Sequence, residues 1–284
     1  MATFRYVLVD VFTDTPLAGN GLAVFTDARE IPEEMLQPLA RELNLSETVF
    51  TYTPEGDGHA RIRIFTPNAE LRFAGHPTLG SAFVLGGPLQ LHEVRIETKK
   101  GVIPVRLERE GPRIVFGRME QPLPTFGAYG EADDLLAVLG VESSELPVEI
   151  YDNGMEHVYV TLGSEDEVAG LKPDLTALSE FPPTRGFNCI AGSGSRWKTR
   201  MFAPAGGVPE DPATGSCAAA LAGYLAAREA APNGSFRWVM EQGFEMGRPS
   251  ILELEADKRD GAVVAVRVAG DCVVVSEGWM ETGR

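Results

Sequence analysis

The chain has 284 residues, of which 44% are hydrophobic, and this suits one large domain or two domains of about 140 residues. Acidic residues outnumber basic ones by 41 to 25, which gives a formal charge of −16, and the longest basic run is the pair Lys99 and Lys100. This balance argues against nucleic acid and anionic membranes as partners.

Alternating and helical patterns predict a first half built of strands and two helices. The first helix carries apolar residues at helical spacing, and the second consists of small and apolar residues. Around Gln121 to Pro124 the pattern breaks, which predicts a linker over about 119–130. The predicted strands are 4–12, 21–26, 47–53, 60–66, 92–98, 102–108 and 113–118, and the predicted helices are 32–44 and 78–86.

The second half follows the same order of patterns, so we predict a mixed α+β or α/β class with halves 1–118 and 119–284, the last strand crossing back to the first half. The predicted helices are 131–139, short pieces within 164–180, and 212–227. The predicted strands are 147–151, 157–162, 186–190, 198–203, 236–241, 250–256, 262–269 and 271–277.

The cysteines and the N-terminal residues predict a cytoplasmic protein with reduced thiols. Cys189, Cys217 and Cys272 are odd in number and lack a CxxC pair or histidines at metal-binding spacing. No signal-peptide pattern opens the chain, and no apolar run approaches transmembrane length. We predict no metal site, and we interpret Cys217, which lies among alanines, as a core residue.

A weak internal repeat links the two halves. The string Arg63-Ile-Phe-Thr-Pro leads to Gly-His76-Pro, and Arg200-Met-Phe-Ala-Pro leads to Glu-Asp211-Pro, each before a helix of small residues. A polar residue before proline is typical of an N-cap followed by proline at the first helical position. One interpretation is that His76 and Asp211 only cap their helices, but the duplication favours a functional role.

The two small-residue helices lack a charged stripe, which predicts that each is buried inside its own half. A buried helix N-terminus offers free backbone N–H groups and the positive end of the helix dipole. The sequence therefore predicts that the starts of both helices face a cleft and bind a carboxylate, even though the protein is acidic overall.

Five ordered strings resemble the PhzF-like family of phenazine biosynthesis proteins. They are VDVFTDTPLAGNGLAVF (9–25), LSETVF (45–50), RIFTPNAELRFAGHPTLGSAFVL (63–85), EDPATGSCAAALAGYL (210–225) and EQGFEMGRPS (241–250). The resemblance covers both halves. It implies the diaminopimelate-epimerase-like fold, which has two pseudo-symmetric halves, each a curled, mostly antiparallel sheet around a central helix, and it implies a homodimer.

The resemblance also implies a set of site residues. The glutamate of the SETVF string is the catalytic acid/base in this family, and it falls on Glu47, while His76 and Asp211 complete the catalytic set. Substrate-binding residues are implied at four further positions, Asn20, Gly75, Gly215 and Ser216. The one departure is Gly21, where the family pattern favours proline, and it affects only the local loop.

The chemistry that these residues imply needs no cofactor. A base that moves a proton between carbons must return the proton as an acid, and a carboxyl group whose pKa is raised by burial can do both. Together with the resemblance, this chemistry implies an isomerase that acts on a small carboxylate of the dihydro-hydroxyanthranilate type. By residue pattern alone, Glu47 could instead be an exposed or capping glutamate.

Two alternative functions stay open. An amino-acid racemase or epimerase would need bases on both faces of its substrate. Related epimerases carry a cysteine at the start of each central helix, and by motif matching those places hold Ala74 and about Pro212 here. The other alternative is a small-molecule-binding protein that has the fold and the anion site but no turnover.

Overall fold

The computed structural model of the protein describes residues 2–282. Its strands are β1 (Ala2–Val11), β2 (Asn20–Phe25), β3 (Glu47–Tyr52), β4 (Ala60–Phe65), β5 (Glu70–Leu71), β6 (Glu93–Thr98), β7 (Gly101–Glu110), β8 (Arg113–Gln121), β9 (Thr125–Ala128), β10 (Glu149–Asp152), β11 (Glu156–Thr161), β12 (Arg185–Ser193), β13 (Arg196–Ala203), β14 (Val208–Asp211), β15 (Gly234–Gln242), β16 (Ser250–Arg259), β17 (Ala262–Gly270) and β18 (Cys272–Thr282). Its helices are α1 (Glu33–Leu43), α2 (Gly75–Leu89), α3 (Ala132–Leu139), α4 (Glu165–Gly170), α5 (Leu175–Leu178) and α6 (Gly215–Arg228). Most of the strand pairs within residues 2–282 are antiparallel, and the predicted α+β class is confirmed.

The chain divides into two compact units. Unit 1 contains the residues up to Glu120 and those from Ala269 onward, and unit 2 contains Gln121–Val268. The last strand, β18, belongs to unit 1, where it pairs with β1 over its whole length. Three short strands, β5, β9 and β14, lie in segments for which the sequence predicts loops or a linker.

The predicted internal repeat is confirmed by the strand pairing. In unit 1, β2 pairs in parallel with β3, β3 antiparallel with β4, and β4 in parallel with β6. In unit 2, β11, β12, β13 and β15 pair with the same sequence of directions. Each unit is therefore built on the same connectivity.

An arginine–glutamate pair occurs at the same place in both repeats. In unit 1, Arg63 Nε lies 2.8 Å from Glu70 Oε1, and in unit 2, Arg200 Nε lies 2.8 Å from Glu210 Oε1. Because Arg63 and Arg200 are the matched residues of the sequence repeat, this pairing aligns Glu70 with Glu210. In the same alignment of the two repeats, the position equivalent to His76 is Ser216 and not Asp211.

The small-residue helices are buried, as predicted. All residues of α6 from Gly215 to Ala226 are buried, and α6 packs against β15 and β16, while α2 packs against β1, β2, β3, β6 and β7. A Cβ atom at Gly80 of α2 would lie 2.7 Å from the Leu22 side chain and 2.8 Å from that of Val11. Small residues are therefore required where α2 meets the sheet of unit 1.

The helix starts differ from the prediction, and the assumed cap-and-proline pattern is wrong in both units. Helix α2 begins at Gly75, so Pro77 is its third residue, which is tolerated because first-turn N–H groups have no acceptor within the helix. Helix α6 begins at Gly215, three residues after Pro212. The N-caps are Ala74 and Thr214, and neither side chain makes a capping hydrogen bond.

A buried carboxylate in unit 1 holds the turn between β3 and β4. Glu97 on β6 is 8% exposed, and its carboxylate accepts backbone hydrogen bonds from Glu55 (2.7 Å), Gly56 (2.7 Å) and Gly58 (2.9 Å). These bonds hold the pKa of Glu97 below its ordinary value, and the bond from Glu55 has the largest effect.

We expect Glu97→Gln to lower the free energy of unfolding by about 2 kcal/mol at neutral pH. The uncharged amide has only one acceptor oxygen, so it cannot replace the charged carboxylate as acceptor of all three hydrogen bonds. Since the folded-state pKa is depressed, the advantage of the wild type is present above the ordinary pKa of 4.5 and disappears as the pH falls through the folded pKa. Urea unfolding between pH 7 and pH 3 measures this. The matched control is Glu93→Gln on the same strand, and an equal loss in both variants, or one that is independent of pH, would contradict the assignment.

Candidate active site

The predicted acid/base Glu47 is the first residue of β3. It lies opposite Leu22 in the parallel β2–β3 pair, and it is buried. The interpretation of Glu47 as an exposed surface residue is therefore wrong. Its carboxylate oxygen Oε2 lies 3.4 Å from the imidazole Nε2 of His76.

His76, the second residue of α2, is fully buried and is held by an amide. Asn20, the first residue of β2, donates from Nδ2 to His76 Nδ1 over 3.2 Å. An amide nitrogen only donates, so the proton of the neutral imidazole sits on Nε2, which is the nitrogen 3.4 Å from Glu47 Oε2. Burial lowers the pKa of His76 to about 3, which keeps this imidazole neutral at ordinary pH.

Unit 1 therefore brings together three of the predicted residues, Asn20, Glu47 and His76, with the imidazole between the amide (3.2 Å) and the carboxylate (3.4 Å). Gly75 precedes His76 as the first residue of α2, where backbone N–H groups have no acceptor within the helix. His76 does not cap the helix, because the N-cap is Ala74. Its side chain instead lies against Glu47, which fits a role in proton transfer or in orienting the carboxylate.

The other predicted residues lie in unit 2. Asp211 ends β14, and its carboxylate Oδ2 accepts a hydrogen bond of 2.5 Å from the hydroxyl of Thr214. Gln242 donates to the Asp211 carbonyl over 2.7 Å and accepts from the Thr214 N–H over 3.1 Å. Asp211 therefore does not cap α6: it ends an extended segment that the Gln242 side chain fixes, which is why the helix starts later than predicted.

Gly215 and Ser216 are the first two residues of α6, and buried amides hold their carbonyl groups. Gln121 donates to the Gly215 carbonyl over 2.9 Å, and Asn153 donates to the Ser216 carbonyl over the same distance. The Ser216 hydroxyl lies 3.0 Å from Nε2 of His157. Side chains from elsewhere in unit 2 thus hold both the backbone and the serine hydroxyl in the first turn of α6.

The structure adds five polar residues that the sequence analysis missed: Gln121, Asn153, His157, Thr214 and Gln242. Thr214 and Gln242 belong to strings that resemble the family, so motif position could have indicated them. His157 is a lone histidine in an apolar strand, and no spacing marks it as a partner of a residue 59 positions later.

Cys217 is confirmed as a core residue. It is fully buried as the third residue of α6, and burial raises the pKa of its thiol to about 12, which makes it a poor nucleophile. Across residues 2–282, no group of three or more His, Cys, Asp or Glu side chains is arranged to hold a metal ion. Of the helices within this range, none is long and apolar enough to cross a membrane.

Comparison with known proteins identifies the family. The family of phenazine biosynthesis-like proteins (PhzC-PhzF) matches residues 9–278. This chain belongs to that family. A family relative from Pseudomonas aeruginosa, trans-2,3-dihydro-3-hydroxyanthranilate isomerase, is 45% identical and is aligned over 96% of this chain and 98% of its own length. The protein of the same name from Pseudomonas fluorescens is equally similar.

Solved structures agree on the fold of this PhzF-like chain. A phenazine biosynthesis protein of the PhzF family from Bacillus anthracis superposes with a TM-score of 0.85 at 26% identity, covering 99% of this chain and all of that one. A hydroxyproline epimerase from Agrobacterium vitis superposes with a TM-score of 0.65 at 12% identity and shows the fold alone. The chain is an isomerase of the PhzF-like family with the predicted diaminopimelate-epimerase-like fold.

Proposed function

We propose that this enzyme moves a proton between two carbons of trans-2,3-dihydro-3-hydroxyanthranilate or a closely similar small carboxylate, with Glu47 as the general acid/base and without a cofactor. The observation that carries the proposal is the buried Glu47 carboxylate beside the neutral His76. The 45% identical relatives, which are isomerases of that compound, supply the substrate class.

In the proposed reaction, Glu47 removes a proton from a C–H bond of the substrate, and the electron pair of that bond moves into the conjugated system. The protonated Glu47 then delivers a proton to another carbon of the same system, so the product is an isomer and no electrons are gained or lost. The His76 Nε2–H, 3.4 Å from the carboxylate, would orient it during the reaction, and Asn20 fixes the imidazole tautomer that this requires.

The remaining residues have proposed binding roles. The first-turn N–H groups at Gly75, Gly215 and Ser216 would bind anionic oxygens of the substrate. Asp211, whose side chain is held by Thr214, would accept a hydrogen bond from the substrate amine or hydroxyl. A cytoplasmic location, a homodimer, and the absence of nucleic-acid or membrane partners stay predictions from the sequence.

An isomerase fits the residues better than a two-cysteine epimerase does. The structural N-caps of the two buried helices are Ala74 and Thr214. The position of the second epimerase cysteine therefore corresponds to Thr214 and not to Pro212, and neither N-cap residue carries a thiol. Cys217 lies further into α6, where burial raises its pKa to about 12. An epimerase would therefore need a different pair of bases.

Proton NMR in deuterium oxide tests the proposal. The enzyme is incubated with trans-2,3-dihydro-3-hydroxyanthranilate and, separately, with a panel of amino acids. We expect the signals of the dihydro compound to be replaced by those of an isomer, with hydrogen or deuterium at a new carbon. Exchange confined to the α-carbon of an amino acid would replace the proposal by an epimerase. A rise in Tm with the dihydro compound but no exchange would replace it by a binding protein.

A further inference from the structure

His157 is a buried imidazole that the proposed reaction does not use directly. It lies on β11 in unit 2 with none of its surface exposed, and its Nε2 is 3.0 Å from the hydroxyl oxygen of Ser216 on α6. A buried imidazole that contacts one hydroxyl can act as donor or as acceptor, and the choice decides which way the hydroxyl hydrogen points.

The other ring nitrogen settles the direction. The hydrogen-bond partner of His157 Nδ1 is the amide nitrogen of Asn188, at 3.5 Å. That amide nitrogen donates its hydrogens to the carbonyls of Val158 and Gly186, each over 3.2 Å. A hydrogen on Nδ1 would point at another donor, so the hydrogen of the neutral ring is on Nε2 and is donated to Ser216. Burial lowers the pKa of His157 to about 3, and the ring therefore stays neutral.

The Ser216 hydroxyl consequently accepts from His157 and keeps its own hydrogen for another group. Among residues 2–282 the hydroxyl has no hydrogen-bond partner other than His157. Its backbone is fixed as well, because Asn153 holds the Ser216 carbonyl. The hydroxyl is thus a preset donor at the N-terminus of α6, next to N–H groups that also donate.

We propose that His157 is a positioning residue, which turns the Ser216 hydroxyl into a dedicated hydrogen-bond donor to a carboxylate oxygen of the substrate. This inference rests on the proposed function, since it takes Ser216 to be a substrate-binding residue. The substrate group it favours at this position is an anionic oxygen, because the His157 bond leaves the hydroxyl hydrogen for a ligand acceptor and a charged oxygen accepts the strongest hydrogen bonds.

Unit 1 contains the same arrangement with different residues. There the amide nitrogen of Asn20 lies against Nδ1 of His76, and Nε2 faces the Glu47 carboxylate. In both units an amide nitrogen next to Nδ1 fixes the tautomer, and Nε2 lies next to a residue of the proposed site, within hydrogen-bonding geometry for Ser216 and at 3.4 Å for Glu47. The two cases arise on different elements, since His76 lies on a helix and His157 on a strand.

A set of variants tests the proposal on the full chain. His157→Leu removes the donor, whereas His157→Gln places an amide N–H where Nε2 lies. We expect His157→Leu to raise KM for the dihydro compound, and Kd for its non-reactive aromatic counterpart 3-hydroxyanthranilate, by about tenfold with a smaller change in kcat. We expect His157→Gln to recover most of this loss, and His157→Leu to have little further effect in a Ser216→Ala background.

Two results would overturn the inference. The first is a loss of affinity from His157→Leu that is equally large with Ser216→Ala present, or that His157→Gln does not relieve, because it would mean a purely structural role. The second is a ¹⁵N NMR spectrum of the wild-type protein that places the imidazole hydrogen of His157 on Nδ1. This measurement is available even if His157→Leu does not fold. The NMR result does not depend on turnover, so it separates failure of this inference from failure of the proposed reaction.

Discussion

Replacement of Glu47 by glutamine is expected to lower kcat by about 10³-fold, because the amide can neither take up nor return a proton. The carboxylate is buried at the start of β3, with the neutral His76 ring 3.4 Å away. Glutamine has almost the same shape, so the packing and the fold should be retained. Steady-state turnover of trans-2,3-dihydro-3-hydroxyanthranilate, together with circular dichroism of the variant, measures the effect.

Glu93→Gln is the matched control for this experiment. Glu93 is a partly exposed residue of unit 1 on β6, where it faces Arg106 at 3.6 Å, and the same change of charge there should leave kcat within about twofold of the wild type. Substantial turnover by a folded Glu47→Gln variant would remove Glu47 from the role of acid/base and would direct attention to Asp211.

Replacement of Gly243 by alanine is expected to lower the free energy of unfolding by about 3 kcal/mol or more, because left-handed backbone strain and a backbone clash act together. Gly243 has a φ of +79°, and a Cβ atom there would lie 2.6 Å from the Pro212 carbonyl oxygen and also against the Arg248 carbonyl oxygen. Both contacts are with backbone, so relief requires a shift of the chain next to Asp211. Thermal unfolding followed by circular dichroism measures the loss.

Gly247→Ala separates the two causes. Gly247 has a φ of +68°, similar to that of Gly243, but no described atom lies within 4 Å of its Cβ position. We expect this variant to lose only the cost of the left-handed conformation, about 1 to 2 kcal/mol. Similar losses in the two variants would show that backbone contact at Gly243 is unimportant. We also expect Gly243→Ala, in contrast to Gly247→Ala, to impair substrate binding, because the Pro212 segment carries Asp211.

The sequence predicted the long elements well, since their signal is periodic and local. The strand 60–66 is observed as Ala60–Phe65, and the helix 32–44 as Glu33–Leu43. The short strands β5, β9 and β14 were missed because two to four residues are too few to show a period. Their extended conformation comes from pairing with longer or later strands, β5 with β4, β9 with β10 and β14 with β13.

The candidate site was predicted in part. Motifs marked Glu47, His76 and Asp211 as candidates, and the structure adds how their side chains are held. The start of α6 could not be predicted from local pattern, because it depends on Gln242, which fixes Thr214 from 28 residues away. The support of Ser216 by His157 is equally non-local. Capping rules apply to neighbours in sequence, and they fail where a distant side chain satisfies the backbone.

The two buried imidazoles also determine how the pH dependence of catalysis should be interpreted. Burial brings the pKa of both His76 and His157 to about 3, so neither ring changes its charge between pH 5 and pH 8. A limb near pH 6.5 in a plot of kcat/KM against pH would normally be assigned to histidine. In this enzyme such a limb would report a carboxyl group or the substrate itself, and the direction of every donor along the two amide–imidazole pairs would stay the same across that range.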